Sequence, residues 1–180
     1  MKTSEEGIAL IKGFEAFRAK AYKDVGGLYT IGYGTVFNPM LSPQYISSGI
    51  TEERADQLLR NHIAINDLSI PNLIRVPISQ NQYDAISSFS YNVGINSFKN
   101  STLLKSINEY WSDSAIFNEF MKWVKVKNTI ISGLLLRRKK EAELFFSKST
   151  GNTKFILFSI FVIFMITLYA GLNRNTRSLK

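Results

Sequence analysis

The sequence predicts a mostly helical α+β protein with one small β element near its start and a transmembrane helix near its C-terminus. Three observations predict this arrangement. Apolar residues recur at helical spacing through most of residues 1–146, residues 21–36 divide into short glycine-containing pieces typical of strands, and residues 155–172 carry no charge. Keeping a small sheet apart from the helices is typical of the α+β class.

The first helix is predicted directly after the N-terminus. Thr3 and Glu6 have the spacing of a capping box, and the apolar residues Ile8, Ile11 and Phe14 follow at helical intervals. Acidic residues occupy the place where a signal peptide would have a basic region, so no N-terminal export signal is expected.

The β element follows this helix as a hairpin or small meander. In residues 28–36, strand alternation puts Thr30, Gly32 and Gly34 on one face. Such a face packs poorly, but it would let a flat ligand such as a sugar ring lie against the backbone. We therefore expect an open strand face with the Thr30 hydroxyl within reach of a ligand.

The remainder of the body is predicted to be helical. Thr51, followed by two glutamates, marks a helix start, and Ser79 with Gln82 forms another capping box ahead of a helix that ends at Gly94. Further helical periodicities cover residues 103–110, 117–126 and 134–146.

The C-terminal part divides into three segments after the body of residues 1–146. A polar linker covers residues 147–154, the uncharged run covers residues 155–172, and a basic tail covers residues 173–180. As a helix, the 18-residue run would rise about 27 Å, close to the ~30 Å hydrocarbon core of a bilayer. The alternative for this run is a buried helix or an oligomer contact. Because basic residues lie on both sides of the run, the positive-inside rule favours a cytoplasmic tail only weakly.

The composition excludes several kinds of site. The 22 Lys and Arg against 14 Asp and Glu give a formal charge of +8, which favours anionic partners such as wall polymers, nucleic acid or acidic lipids. The chain has no cysteine, which excludes disulfides, thiolate catalysis and cysteine metal sites. Its single histidine, His62, is expected at the edge of the core, and no metal or cofactor is expected.

Two acids stand out as candidates for chemistry. Glu15 follows Ile11 by four residues, so helix geometry puts a carboxyl on an apolar face, although pairing with Arg18 is the plainer alternative. Asp24 precedes two closely spaced glycines, where it would be solvated and ionised or simply a turn residue. Two carboxyls in unlike environments beside an open strand are what glycoside hydrolysis requires.

The chain resembles the phage-type lysozymes, which are the endolysins of glycoside hydrolase family 24. The type and spacing of that family's catalytic residues are matched by Glu15, Asp24 and Thr30. The chain also resembles later sequence blocks of the family, in the same order, at residues 50–59, 76–94, 101–104 and 133–145. The resemblance covers about residues 3–146 and implies a two-lobed lysozyme-like fold with the β element in the N-terminal lobe.

The resemblance implies a muramidase that cleaves the β-1,4 bond between N-acetylmuramic acid and N-acetylglucosamine in peptidoglycan and so lyses bacteria. It implies that Glu15 is the general acid, while Asp24 and Thr30 position water or stabilise the positive sugar centre. We expect substrate contacts at Gly32, Tyr33 and Gly34.

The roles of some other residues stay open in the sequence. The pair Arg137 and Arg138 could include a partner that orients Glu15, or could be a surface charge cluster. Thr35 stands where many relatives have histidine, and residues 125–128 replace a loop that usually carries glycines.

The expected partners are peptidoglycan and, through residues 155–172, the bacterial inner membrane, so that a monomer would act on periplasmic or cell-wall peptidoglycan. Either a holin-type partner releases the enzyme, or the apolar segment itself takes part in crossing the membrane. Nucleic-acid binding is not expected, because no reading motif accompanies the charge. The alternative function is a non-enzymatic, membrane-active or wall-binding lysis protein, which would not need the catalytic trio.

Overall fold

Helices make up most of the structure, a computed structural model that describes residues 1–24 and 26–147. In chain order the elements are α1 (Glu5–Glu15), β1 (Arg18–Lys23), β2 (Tyr29–Gly32), β3 (Thr35–Val36), α2 (Gln44–Ser47), α3 (Glu52–Leu73), α4 (Gln80–Val93), α5 (Ile95–Lys99), α6 (Thr102–Asn108), α7 (Asp113–Met121), β4 (Lys125–Val126), β5 (Thr129–Ile130) and α8 (Ser132–Phe146). The predicted α+β class, mostly helical with a small sheet near the start, is confirmed.

The strand predicted over residues 28–36 is two strands of an antiparallel hairpin. The sheet order is β1-β2-β3, with Tyr22 opposite Thr30 and Ile31 opposite Thr35. Between β2 and β3 the chain reverses at a turn that begins after Gly32, whose φ is +65°. Glycine adopts this left-handed backbone readily, so the glycines of this stretch turn the chain rather than extend it.

The first helix begins one residue later than predicted. The N-cap of α1 is Ser4, whose hydroxyl accepts a hydrogen bond of 3.2 Å from the amide of Gly7. Thr3 does not cap the helix because its hydroxyl donates to Asp67 on α3 instead, at 2.8 Å. Asp84 on α4 accepts from the Ser4 amide at 2.9 Å. The start of α1 is thereby fastened to two other helices.

The other predicted caps are confirmed. Thr51 caps α3 by accepting from the amide of Arg54, and Ser79 forms a full capping box with Gln82 at the start of α4. Helix α4 ends at Gly94, whose φ is +87°.

The helix predicted over residues 117–126 is wrong in its second half. Helix α7 ends at Met121, and β4 and β5 then form a short hairpin through Lys127 and Asn128. Both turn residues have positive φ, 46° and 66°, the backbone of a two-residue hairpin turn.

The buried core forms two clusters of apolar side chains. The larger joins helices α4 to α8 with Ile70 near the end of α3, and α4 is its central helix, with nine consecutive buried residues from Tyr83 to Tyr91. The smaller joins α1, β2–β3 and α3; its buried members are Ile8, Ile11, Tyr33, Ala55, Leu59, Ile63 and Tyr91.

The predicted transmembrane helix of residues 155–172 lies outside the described residues, as do the basic tail and, apart from Ser147, the polar linker. Within residues 1–24 and 26–147, no helix has both the length and the apolar character needed to cross a bilayer.

Candidate active site

Glu15 is the last residue of α1. The helix buries Ile8 and Ile11, and Glu15 lies one turn beyond Ile11, so its side chain continues the edge of the buried face and is 19% exposed. Ala16 then takes a φ of +50°, which ends the helix and leads the chain into β1. The carboxyl is thus placed at the junction between helix and sheet.

Arg137 on α8 holds this carboxyl from the other side. Its Nη1 lies 2.5 Å from Glu15 Oε1, its side chain is 4% exposed, and its guanidinium lies 5.2 Å from the centre of the Phe14 ring. A guanidinium with so little access to water is screened weakly, so the pair is a strong local interaction. Arg137 is therefore a buried partner of Glu15 rather than part of a surface charge cluster, and Arg18 is not that partner.

Behind Arg137, a second carboxylate is completely enclosed. Glu141 is 0% exposed; its Oε1 accepts from Ser88 Oγ at 2.7 Å and from Arg137 Nε at 3.0 Å. Arg138 adds a hydrogen bond of 3.0 Å to the same oxygen and bonds Asn92 at 3.1 Å. Burial raises the pKa of Glu141 and lowers that of Arg138 to about 10, while their mutual attraction opposes both changes.

Gly34 approaches the opposite oxygen of Glu15. A Cβ placed on Gly34 would lie 3.0 Å from Glu15 Oε2, and the φ of Gly34 is +80°. Glycine is needed here for two reasons, the left-handed backbone and the close carboxyl. Of the three residues expected to contact substrate, Gly34 is the one placed beside Glu15.

Gly32 does not lie on the open strand face that the sequence predicts, and Tyr33, which was expected to contact substrate, is buried. A Cβ on Gly32 would lie 2.9 Å from the Cβ of Ala55 on α3, so this glycine is packed against a helix. Tyr33 is 4% exposed, and its hydroxyl donates to Glu52 at 2.5 Å. The expectation of an open face is wrong because α3 covers this part of the hairpin.

Asp24 and Thr30 meet at the backbone of Leu28. One oxygen of Asp24, Oδ1, accepts from the amides of Gly26 at 2.8 Å and Leu28 at 2.9 Å, which is an Asx turn. The Thr30 hydroxyl donates to the Leu28 carbonyl at 3.2 Å, and Thr30 is 3% exposed. Within the described part of the chain, no hydrogen bond or ion pair links either residue to Glu15.

Two aromatic rings that sequence reasoning did not connect to Glu15 lie within its electrostatic reach. The Tyr91 hydroxyl donates to the Tyr33 carbonyl at 2.7 Å; burial and the Glu15 charge raise the pKa of Tyr91. His62 packs its ring against Tyr91 with centroids 4.8 Å apart, at the edge of the smaller core cluster. Partial burial lowers the pKa of His62, and the Glu15 carboxylate opposes this change.

The arrangement can hold one carboxyl rigidly and leave one of its oxygens for chemistry. Arg137 occupies Oε1 of Glu15, and Glu141 and Ser88 in turn fix Arg137, whose Nη2 also donates to the Ser88 carbonyl at 3.1 Å. The Asp24 carboxylate is oriented separately by its turn. A fixed carboxyl and a second carboxylate on a neighbouring hairpin are the groups that acid-assisted glycosidic cleavage uses.

Comparison with known proteins identifies relatives of this chain. The phage lysozyme family model matches residues 12–141. An endolysin of Acyrthosiphon pisum secondary endosymbiont phage 1 is 43% identical over 151 residues, which covers 81% of this chain and 98% of the relative. The endolysin of Bacillus phage B103 is 41% identical over 154 residues, 84% of this chain, but this chain spans only 57% of that relative's length.

A solved structure gives the same result. The muramidase domain of SpmX from Asticaccaulis excentricus superposes with a TM-score of 0.73 at 32% identity, over 82% of this chain and 99% of that one. Because the family model takes in Glu15, the β hairpin and Arg137 together, the chain belongs to the phage lysozyme family.

Proposed function

We propose that this chain is a lysozyme that hydrolyses the β-1,4 bond between N-acetylmuramic acid and N-acetylglucosamine in peptidoglycan and so lyses bacterial cells. The observation that carries the proposal is the Glu15 carboxyl, fastened by Arg137 in a chain of the phage lysozyme family. The relatives described above are endolysins and a muramidase domain, which supports the same substrate.

Glu15 is the general acid in this proposal. Arg137 donates to Oε1, so the transferable proton is carried by Oε2, the oxygen beside Gly34. That proton passes to the glycosidic oxygen while the bond from this oxygen to the sugar carbon breaks, and its electron pair stays with the leaving oxygen. The carbon then develops the positive charge of an oxocarbenium-like centre.

Asp24 stabilises that positive centre or orients the water that attacks it. Its Oδ1 is engaged by two backbone amides, so Oδ2 is the oxygen available to the sugar or to water. Thr30 assists through its hydroxyl oxygen, which can still accept a hydrogen bond while its proton is donated to the Leu28 carbonyl. Water adds to the carbon and loses one proton, to Asp24 where Asp24 orients that water or to the carboxylate left on Glu15 where the water attacks from that side; proton exchange with solvent then restores the enzyme.

Gly34 lets the substrate approach Glu15 closely because it has no side chain beside Oε2. Gly32 and Tyr33 support the site indirectly. Their packing against α3 fixes the turn that carries Gly34, and the Tyr33 carbonyl is tied to the Tyr91 hydroxyl.

The decisive experiment compares Glu15→Gln with Glu6→Gln, a substitution on the same helix at an exposed position. We expect Glu15→Gln to slow the clearing of purified peptidoglycan by about 10²–10⁴-fold, because the proton donor is gone, and Glu6→Gln to clear at the wild-type rate. Thermal unfolding of both variants checks that they are folded. Clearing by Glu15→Gln at the wild-type rate would refute the enzyme and favour a non-enzymatic wall-binding or membrane-active protein.

Residues 155–172 act, in the same proposal, as a membrane segment that holds the enzyme at the bacterial inner membrane, with peptidoglycan as its substrate on the far side. The support is the run of 18 uncharged residues with basic residues on both sides. Export then depends on a holin-type partner or on the segment itself.

A chain truncated after Gly151 tests the segment. We expect it to clear purified peptidoglycan like the full chain and to stay in the supernatant when membranes are sedimented. If the truncated chain sediments with membranes as fully as the whole chain, residues 155–172 are not the anchor.

A further inference from the structure

A basic cavity lies in the helical part of the protein, outside the set of residues that holds Glu15. Its volume is about 400 Å³, and its walls are the segment before α4, the end of α5 and helix α6 with the residue after it. This volume falls in the range of ~300–1,000 Å³ that small-molecule sites occupy. None of the residues around Glu15 described above lines it.

The lining of this cavity carries three cations and one acid: Arg75, Lys99, Lys105 and Glu109. Within residues 1–24 and 26–147, the three cations are exposed and form no ion pair, as is also true of Lys127 and Lys139 elsewhere on the surface. What sets the three apart is that they line one concavity. The acid is partly engaged, because Glu109 Oε2 accepts from the indole N–H of Trp111 at 3.1 Å. Three cations and one acid leave this concavity with a net positive charge, which attracts an anion.

One wall of the cavity is held in place by a single side chain. The amide of Asn108 on α6 donates to the Leu73 carbonyl at 2.9 Å, and its oxygen accepts from the Arg75 amide at 2.8 Å. The backbone that carries Arg75 is therefore tied to α6, the helix that carries Lys105. A wall formed before the ligand arrives reduces the ordering cost of binding.

We propose that this cavity binds a phosphate group carried on a polyol or a sugar. A phosphate ester presents several anionic oxygens in a tetrahedral arrangement, so cations on three separate walls can contact it together, whereas a planar carboxylate offers two oxygens. Thr102 and Asn100 add a hydroxyl and an amide to the lining, which suit the hydroxyls of a polyol. This site is independent of bond cleavage at Glu15 and would hold the enzyme on a phosphate-bearing envelope component.

The test measures binding of sn-glycerol 3-phosphate to the full chain by calorimetry, with acetate as the carboxylate probe. We expect glycerol phosphate to bind more tightly than acetate. The double variant Lys99→Gln, Lys105→Gln should weaken glycerol phosphate binding by about tenfold or more, because two charge-assisted contacts are lost. The matched control Lys127→Gln, Lys139→Gln removes the same charge from exposed positions elsewhere and should bind within about twofold of wild type.

Vesicles identify the source of the phosphate. The vesicle test compares phosphatidylcholine vesicles with and without phosphatidylglycerol, because residues 155–172 contribute equally to both. If phosphatidylglycerol strengthens binding of the control variant more than binding of the Lys99→Gln, Lys105→Gln variant, the phosphate belongs to a lipid headgroup; an equal gain assigns it to a soluble or wall-borne phosphate. Both results retain the site. Glycerol phosphate binding that is lost equally in both double variants, or is no tighter than acetate binding, overturns the proposal. Failure of the Glu15→Gln experiment leaves this test unaffected.

Discussion

Replacing Glu141 with glutamine tests how much one buried carboxylate contributes to the fold. Glu141 is 0% exposed and lies between two buried arginines, with Arg138 Nε 2.8 Å from its Oε2. Glutamine keeps the size and one acceptor oxygen, but it removes the charge and points an N–H₂ group at an arginine. Breaking a buried ion pair by removing one partner costs about 3–5 kcal/mol, and the retained acceptor puts this case near 3 kcal/mol.

The measurement is urea unfolding at neutral pH, with a matched control on the same helix. Glu143→Gln makes the same chemical change, but Glu143 is 60% exposed in its pair with Lys140, so we expect a loss within about 0.5 kcal/mol. For a chain of this size the expected 3 kcal/mol corresponds to a fall in melting temperature of roughly 6–12 °C. Equal losses in the two variants would show that the enclosed carboxylate does not stabilise its arginines, which would refute the reasoning.

Three further predictions concern the surroundings of Glu15 and the packing of α1. Gly34 and Gly27 share a φ of +80°, so replacing either with alanine should lower the free energy of unfolding by about 1–2 kcal/mol. Only Gly34→Ala, whose Cβ would lie 3.0 Å from Glu15, should also lower kcat/KM, by about tenfold. Equal kinetic losses in the two variants would contradict this. The NMR titration of His62 should have its midpoint below 6.5, and Glu15→Gln should lower it further, because the carboxylate favours the charged ring; an upward shift would contradict the coupling. Asp56→Asn should lower the free energy of unfolding at neutral pH, because hydrogen bonds from its basic partners hold the pKa of Asp56 below 3.8 in the folded state. The difference from wild type should therefore shrink as the pH falls below 3.8. A difference that stays constant in denaturation curves down to about pH 2 would contradict this.

Local signals predicted the helix boundaries well where the cap was made within its own helix. Thr51 and Ser79 bond to amides three residues ahead, so sequence spacing contains the whole interaction. Thr3 was misassigned because its hydroxyl is used by Asp67, 64 residues away, which no local pattern records. The resemblance places a loop at residues 125–128, but the apolar periodicity extends a helix into it, since positive φ at a lysine carries no glycine signal.

The sequence predicts the residue types of the candidate site but not the contacts between them. Glu15 as an acid on an apolar face follows from helix periodicity, and the structure places it there. The choice between Arg18 and Arg137 as its partner depends on how α8 packs, which is a contact over 122 residues. Glu141 carried one usable signal, its spacing of four and three residues from the two arginines, which puts all three on one side of a helix.

The separation between Glu15 and Arg137 also decides when, during synthesis, the acid can acquire its partner. Glu15 leaves the ribosome 122 residues before Arg137, and at ~5–20 residues per second that interval is roughly 6–24 s. A nascent chain therefore carries the Glu15 carboxyl without the guanidinium that orients it until α8 has emerged. Ribosome-bound fragments that stop before α8 lack this half of the pair, so α8, the last helix among the described residues, completes the proposed catalytic centre.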